Sequence, residues 1–358
     1  MKIVLIMGAF SYGGAERVMC NLANYLSNNK HEVTLVTLFK RDECYELSNK
    51  IKVINGLDFK KKFDSIFILR KIIKEIYPDI VLSFLTHINI LTIISTLKLN
   101  IPVIISERND PSIPYNNIIK RSLRRIFYRF AKGFVFQTNE AKNYFSNSIM
   151  NKSVVIPNPL IIKKKLKTKD IEREDYIVTI GRLTEQKNQE LLIRSFSSIS
   201  KEFPSYKLKI YGEGHLRDRL LNLIKELKME KSIFLMGTTE DIIDEIDKCK
   251  IFVLSSNFEG MPNSLMEAMA IGLPCISTDC NSGGPRFLID NNVNGLLVPI
   301  NNEKILSNSM RILMESDLKR ETLGESAMEI SKKLNPEVIY NQWEILLNTV
   351  YSKVLIKT

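Results

Sequence analysis

The sequence predicts two doubly wound α/β domains joined by a hinge, with a cleft between them. Three observations carry that prediction. Short apolar runs alternate with amphipathic stretches along most of the chain, which is the grammar of parallel sheets covered on both faces. The length of 358 residues, 44% hydrophobic and 25% charged, suits two ordinary globular domains better than one. The alternation is interrupted near its middle by VIPNPLIIKKKLKTKDIERED (155–175), where two prolines flank Asn158 and a charged, weakly periodic run follows. This stretch reads as the hinge. The expected boundaries are therefore 1–160, 161–335 and a C-terminal helix over 336–358 that packs back toward the first domain.

In the first half KIVLIM (2–7) reads as a strand, GGAERVMCNLANYLSNN (13–29) as a helix and HEVTLVTLF (31–39) as a strand. DIVLSFL (79–85), IPVIIS (101–106) and GFVFQT (133–138) are further strands, with a basic helix over 117–132 before the last. The second half repeats the pattern. Strands YIVTIG (176–181), YKLKIYG (206–212), SIFLMG (232–237), IFVLSS (251–256) and PCIST (274–278) alternate with helices over 188–202, 215–228, 240–248 and 264–271. In such sheets ligands bind beyond the carboxyl ends of the strands, so the loops there hold the candidate residues.

Composition excludes several classes. Five cysteines form no C-x-x-C pair, which predicts a reducing cytoplasm with neither a disulfide framework nor a zinc site. The opening apolar run is too short for a signal peptide, and no stretch reaches 18 uninterrupted apolar residues. Charge is uneven. Residues 1–168 carry 27 Lys and Arg against 12 Asp and Glu, whereas residues 169–358 carry 24 against 28. Only the first half calls for an anionic partner.

In GRLTEQKN (181–188), Arg182 and Lys187 follow a strand and precede a helix. Two cations there suit a diphosphate, Arg by its fork and Lys as a point charge, although a solvated turn fits the same spacing. In YGEG (211–214), Gly212 and Gly214 would let the backbone approach a ligand, and a plain tight turn fits equally. Gly13 and Gly14, in FSYGGAERV (10–18), could cradle a phosphate at a helix start or simply cap the helix. This loop matches neither the G-x-G-x-x-G fingerprint nor the G-x-x-x-x-G-K-[ST] loop, which argues against NAD and against an ATPase. No D-x-D pair supports a metal-dependent scheme, and no metal is expected.

FEGMPNSLMEAMAIGLP (258–274) carries the sharpest signal. Glu259 lies in a loop before Gly260, Met261, Pro262 and Asn263, and Glu267 lies within the following apolar helix. Ser264 and Glu267 form S-x-x-E, a capping-box spacing. Two acids beside a helix N-terminus that favours an anion describe a nucleotide sugar, with sugar hydroxyls, diphosphate and ribose each finding a partner. In NIIKRSLRRIFYRFAK (117–132), Ile119, Leu123, Ile126, Phe127 and Phe130 form an apolar stripe expected to face the core. Lys120, Arg121, Arg124, Arg125, Arg129 and Lys132 lie opposite and form a candidate contact with an anionic membrane. No aromatic stacking pattern accompanies them, which argues against nucleic acid.

Arg182 and Lys187, YGEG, and the block around Glu259 and Glu267 in an E-x7-E arrangement resemble the family-4 glycosyltransferases of the GT-B fold, two Rossmann-like domains about a cleft. GGAER (13–17) and GLLVP (295–299) are similar too, and the resemblance covers nearly the whole chain. Within that family, ISERNDP (105–111) and NSGGPR (281–286) resemble enzymes adding a hexose or N-acetylhexosamine to a lipid-diphosphate-linked glycan. The resemblance implies a retaining, metal-independent transfer from a UDP-sugar to a polyprenyl-diphosphate-linked saccharide in bacterial O-antigen, capsule or glycoprotein-glycan assembly. It implies no cofactor, and a place on the cytoplasmic leaflet. Arg182 and Lys187 would stabilise the departing diphosphate, Glu259 would hold sugar hydroxyls beside the amides from Gly260 to Ser264, and Glu267 would bind the ribose. Gly14, Gly212 and Gly214 would line the donor site. Gly13, His87, Glu107, Arg108 and Asn109 are the acceptor or active-site candidates. Three other readings remain open at this stage: a soluble enzyme on the same fold, such as a sugar-nucleotide epimerase or a glucan-synthase-like transferase; a non-catalytic basic binding module; and dinucleotide redox chemistry.

Overall fold

A computed structural model describes residues 1–10, 13–42, 45–57, 64–113, 118–162 and 172–356. The charged part of the expected hinge, 163–171, lies outside the described residues. The chain forms two compact units, one of Met1–Pro159 with Pro336–Thr358 and the other of Leu160–Asn335.

The first unit begins β1 (Lys2–Met7), α1 (Gly14–Asn28), β2 (Glu32–Thr37), β3 (Lys52–Asn55), α2 (Asp64–Ile76), β4 (Ile80–Phe84), α3 (Thr86–Thr96) and β5 (Val103–Ser106). It continues α4 (Ile118–Phe127), β6 (Gly133–Phe136), α5 (Asn139–Asn143), α6 (Asn147–Met150) and β7 (Ser153–Val155). The sheet is parallel throughout, in the order β3-β2-β1-β4-β5-β6-β7. Strand order reverses between β1 and β4. Right-handed crossovers place α2, α3 and α4 on one face and α1 on the other. Strands such as β4 and β5 are buried at every position, which explains their lack of alternation.

The second unit holds β8 (Glu174–Ile180), α7 (Gln189–Ile199), β9 (Lys207–Tyr211), α8 (Arg217–Glu226), β10 (Ile233–Gly237), α9 (Ile242–Asp247), β11 (Cys249–Leu254) and α10 (Asn263–Ala270). It ends with β12 (Cys275–Thr278), α11 (Gly284–Leu288), β13 (Leu296–Val298), α12 (Glu303–Glu315), α13 (Asp317–Ala327) and α14 (Ile330–Lys333). Its parallel sheet runs β10-β9-β8-β11-β12-β13 and reverses between β8 and β11. Successive residues of one strand feed opposite cores. Ile177, Ile251 and Val253 join the apolar cluster that includes residues of α7, α8 and α12, whereas Val178, Phe252 and Leu254 join the cluster that includes α9 and α10.

The last helix, α15 (Pro336–Leu355), returns to the first unit and packs on α1. Trp343 is fully buried against Phe84 at the end of β4, with ring centroids 5.7 Å apart. Glu344 accepts hydrogen bonds from Tyr25 Oη at 3.2 Å and Asn29 Nδ2 at 3.1 Å, and lies 3.3 Å from His31 Nε2.

The helix expected over 117–132 differs in detail. Its α-helical part ends at Phe127, a 3-10 turn covers Tyr128–Phe130, and Asn117 lies outside the described residues. The expected core-facing stripe is corrected. Ile119, Ile126 and Phe130 are 64%, 46% and 49% exposed, while Leu123 and Phe127 are half-buried. The reason is rotation of the helix about its axis. The buried arc is centred between Phe127 and Arg124, with Tyr128 completing it, so part of the apolar stripe faces outward beside the cations.

Candidate donor and acceptor sites

In the second unit the reversal of strand order opens a crevice at the carboxyl ends of β8 and β11, and the loops there are 181–188 and 255–262. They are laced together. Asn257 N donates to Gln186 O at 2.8 Å, Gln186 Nε2 to Phe258 O at 3.1 Å, and Asn257 Nδ2 to Glu185 O at 2.7 Å. Asn188 takes a left-handed backbone at the start of α7, accepts from Leu191 N, and donates to Asn257 Oδ1 at 2.9 Å. This lacing brings Lys187 and Glu259 together although they are far apart in sequence. Lys187 Nζ lies 2.5 Å from Glu259 Oε1, and the two side chains are only 15% and 7% exposed. Ser256 Oγ donates to the same oxygen at 2.6 Å. Arg182 is exposed beside them, its Nη2 3.4 Å from Gln186 Oε1.

A second tier fixes the loop that holds Glu259. Ser282 Oγ donates to Glu259 O, and Thr278 Oγ1 donates to Ser256 O at 2.6 Å. At Gly284 a Cβ would fall 1.6 Å from Gly260 O, so a side chain there would drive the two loops apart. NSGGPR is thus the floor beneath Glu259 and Gly260. The support that Ser282 and Gly284 give to the Glu259 loop was not visible in the sequence. The only signal was the recurrence of small residues after two neighbouring strands.

In YGEG the structure supplies the reason for a tight turn. Gly212 has φ +134°, and a Cβ there would meet Gly181 O at 2.1 Å; at Gly214 it would meet Leu183 O at 2.3 Å. Their small size serves a close backbone approach to the Arg182 loop, which a ligand need not explain. Ser264 is also corrected as a cap. The residue before α10 is Pro262, no side chain caps the helix, and Ser264 falls inside its first turn. The helix starts two residues earlier than the capping-box spacing requires. Asn263 and Ser264 are half-buried, Gly260, Met261 and Pro262 are buried, and Glu267 is 6% exposed on α10. The side chain of Met261 packs in the apolar core.

In the first unit the reversal lies between β1 and β4. Gly13 precedes α1 in extended conformation and its carbonyl accepts from Tyr45 Oη at 3.1 Å, while Gly14 is exposed. After β4, Leu85 takes φ +73°, a strained value for a branched side chain, and His87 follows, exposed on the first turn of α3. The three candidates after β5 separate. Asn109 is exposed and its Oδ1 accepts from Asp110 N at 3.0 Å. Glu107 turns inward, accepting from Thr86 Oγ1 at 2.8 Å and from Tyr128 Oη, and burial pushes its carboxyl above the usual range. Arg108 also turns inward. Its guanidinium lies 4.0 Å from the Phe84 ring centre and 5.3 Å from that of Trp343, donates to Asn158 Oδ1 at 2.8 Å, and is pulled down by burial to about 9.

Of the basic face, Arg121, Arg125, Arg129 and Lys132 are exposed. Arg124 is corrected: it is 6% exposed, donates to Pro111 O at 3.1 Å and Tyr144 Oη at 3.2 Å, and cannot reach a surface partner. The side chain of Lys120 lies outside what is described. Among the described residues, no three His, Cys, Asp or Glu gather in a way that could hold a metal ion, and no helix is long and apolar enough to cross a membrane.

A Campylobacter jejuni protein named GalNAc-alpha-(1->4)-GalNAc-alpha-(1->3)-diNAcBac-PP-undecaprenol alpha-1,4-N-acetyl-D-galactosaminyltransferase is 28% identical, over 98% of this chain and 99% of its own. The Erwinia amylovora amylovoran biosynthesis glycosyltransferase AmsD is 26% identical over 97% of this chain and 99% of its own. The fold is that of Anabaena HepE in its complex with UDP, at a TM-score of 0.81 and 18% identity over 98% of this chain and 100% of that one. Residues 12–163 match the model for Glycosyltransferase Family 4, and residues 161–330 match that for Glycosyl transferases group 1. The chain is therefore a glycosyltransferase, its first unit carrying the match to Glycosyltransferase Family 4 and its second the match to Glycosyl transferases group 1.

Proposed function

We propose that the protein transfers a hexose or N-acetylhexosamine from a UDP-sugar to a polyprenyl-diphosphate-linked saccharide in bacterial surface-glycan assembly. The observation that carries this reading is the meeting of Lys187 and Glu259 at the strand-order reversal of the second unit, beside the start of α10. The names of the relatives support the substrates: one prints an undecaprenol-diphosphate-linked acceptor, and a solved relative of the same fold holds UDP. Departure of UDP adds negative charge at the diphosphate. Arg182 and Lys187 would absorb it, and each charge-assisted hydrogen bond of about 1.5–3 kcal/mol corresponds to roughly 10- to 150-fold in rate. Glu259 would accept from donor hydroxyls, Glu267 from the ribose. Glu107 and Arg108, turned inward, would position the acceptor loop from below, leaving Asn109 and His87 to face the acceptor.

Retention of configuration fits the alpha linkage printed for the C. jejuni relatives, because the common UDP-hexoses are themselves alpha-linked. Catalysis is proposed to need no metal and no cofactor. The exposed cations of α4 and the turn after it, interleaved with exposed Ile126 and Phe130, fit an anionic bilayer surface and support a peripheral position on the inner leaflet. The test is transfer from a panel of UDP-sugars to undecaprenyl-diphosphate-linked saccharides with EDTA present. The account expects one donor to react, an alpha-linked product, and loss of transfer in Glu259→Gln. A beta-linked product, or a strict need for added metal, would contradict the mechanism. Full activity in Glu259→Gln would contradict the site.

A further inference from the structure

We infer that Glu259 restrains Lys187 in the donor-free protein, and that donor binding proceeds by exchange of partners within a Lys187–Glu259–Ser256 cluster. The inference rests on the donor-site reading above and deepens it. Lys187 and Glu259 form a pair largely shielded from water, at 2.5 Å, so the lysine charge is neutralised before any diphosphate arrives. Its position is not incidental. The stem of Lys187 lies across Gly181, where a Cβ would come within 3.0 Å of Cγ, Cδ and Cε, so the backbone directs the ammonium toward the carboxylate. Ser256 Oγ donates to the same Oε1 at 2.6 Å, while among the described residues Oε2 takes no hydrogen bond. One carboxylate oxygen is thus committed to the protein and the other is presented.

A diphosphate and a carboxylate compete for one ammonium. A nucleoside diphosphate alone must draw Lys187 away and leave Glu259 with only Ser256 on a shielded carboxylate, an arrangement that opposes binding. A nucleotide sugar brings hydroxyls that donate to Glu259 as its lysine leaves, which removes the opposition. The cluster therefore favours the intact donor over the spent nucleotide, and Ser256 acts as the positioning residue that holds Oε1 during the exchange.

The test is calorimetric titration of UDP into wild type, Glu259→Gln, Lys187→Ala and the double variant, each first checked for an unchanged melting profile. The exchange predicts that Glu259→Gln binds UDP about three- to tenfold more tightly than wild type, a difference of roughly 0.7–1.4 kcal/mol. Lys187→Ala should bind more weakly, and the gain from Glu259→Gln should vanish in the double variant. Glu259→Asp, which keeps the charge but shortens the reach, should tighten UDP by less and covers the case in which Glu259→Gln does not fold. Equal or weaker UDP binding by the folded Glu259 variants would overturn the inference while leaving the donor site standing. Absence of UDP binding by wild type would overturn the donor site, and the inference with it.

Discussion

At the scale of single residues, the chain places charge where bulk water cannot easily reach it. Glu107 is buried beneath α3 and α4, held by Thr86 and Tyr128, and burial raises its carboxyl above 4.5. A raised folded value means that folding favours the protonated acid. Its contribution to stability is full below the unfolded value and is lost as pH rises through the folded one. Glu107→Gln should therefore gain on wild type as pH rises. The difference in melting temperature between variant and wild type, followed from pH 4 to 8, should climb in the variant's favour. A flat or falling difference would show that the Thr86 and Tyr128 hydrogen bonds outweigh the burial. Sequence placed Glu107 and Arg108 at the right strand end but could not tell inward from outward. Both directions are open to a residue that has just left a strand, and the choice here depends on Tyr128 and Trp343, residues distant in the chain.

At the scale of elements, α15 is held by one dominant side chain. Trp343 is fully buried against Phe84 and the Arg108 guanidinium, so Trp343→Ala should cost about 3–5 kcal/mol in a denaturant titration, as for other buried aromatic truncations. A loss under 1 kcal/mol would mean that α15 contributes little to the first unit. Helix α4 shows what periodicity can and cannot supply. Its apolar stripe was legible; its outward turn was not, because Arg124 takes a buried place next to Pro111 and Tyr144. The turn alters the energetics of a bilayer contact. Ile126 and Phe130 would each add up to about 1.5–3 kcal/mol if fully buried in the interface, against about 1 for each cation. Ile126→Ser with Phe130→Ser should accordingly release the protein from anionic vesicles in a flotation assay more completely than Arg125→Gln with Arg129→Gln. The reverse order would assign the contact to charge alone. Strands β8 and β11 were read directly from their apolar runs, whereas β7 and β13, three residues each, carry too short a pattern to stand out.

For the whole molecule, the two units differ in charge. Residues 1–159 with 336–358 carry 25 Lys and Arg against 14 Asp and Glu, and residues 160–335 carry 26 against 26, which agrees with the proposal that the first unit meets an anionic acceptor. The E-x7-E spacing was legible because its two acids lie within one loop and helix, and it is the basis of the proposed donor site. The partnership of Glu259 with Lys187, and the floor supplied by Ser282 and Gly284, were beyond the sequence because three different loops build them. The most direct test of the central claim is a thermal-shift panel of UDP, GDP, ADP, NAD and the UDP-sugars, run on wild type and Lys187→Ala. A ligand at about 100 times its dissociation constant adds roughly 2.7 kcal/mol, which is readily seen. The account predicts stabilisation by UDP, a larger shift with one UDP-sugar, and a reduced shift in Lys187→Ala. A response to ADP or NAD with none to any uridine nucleotide would contradict it.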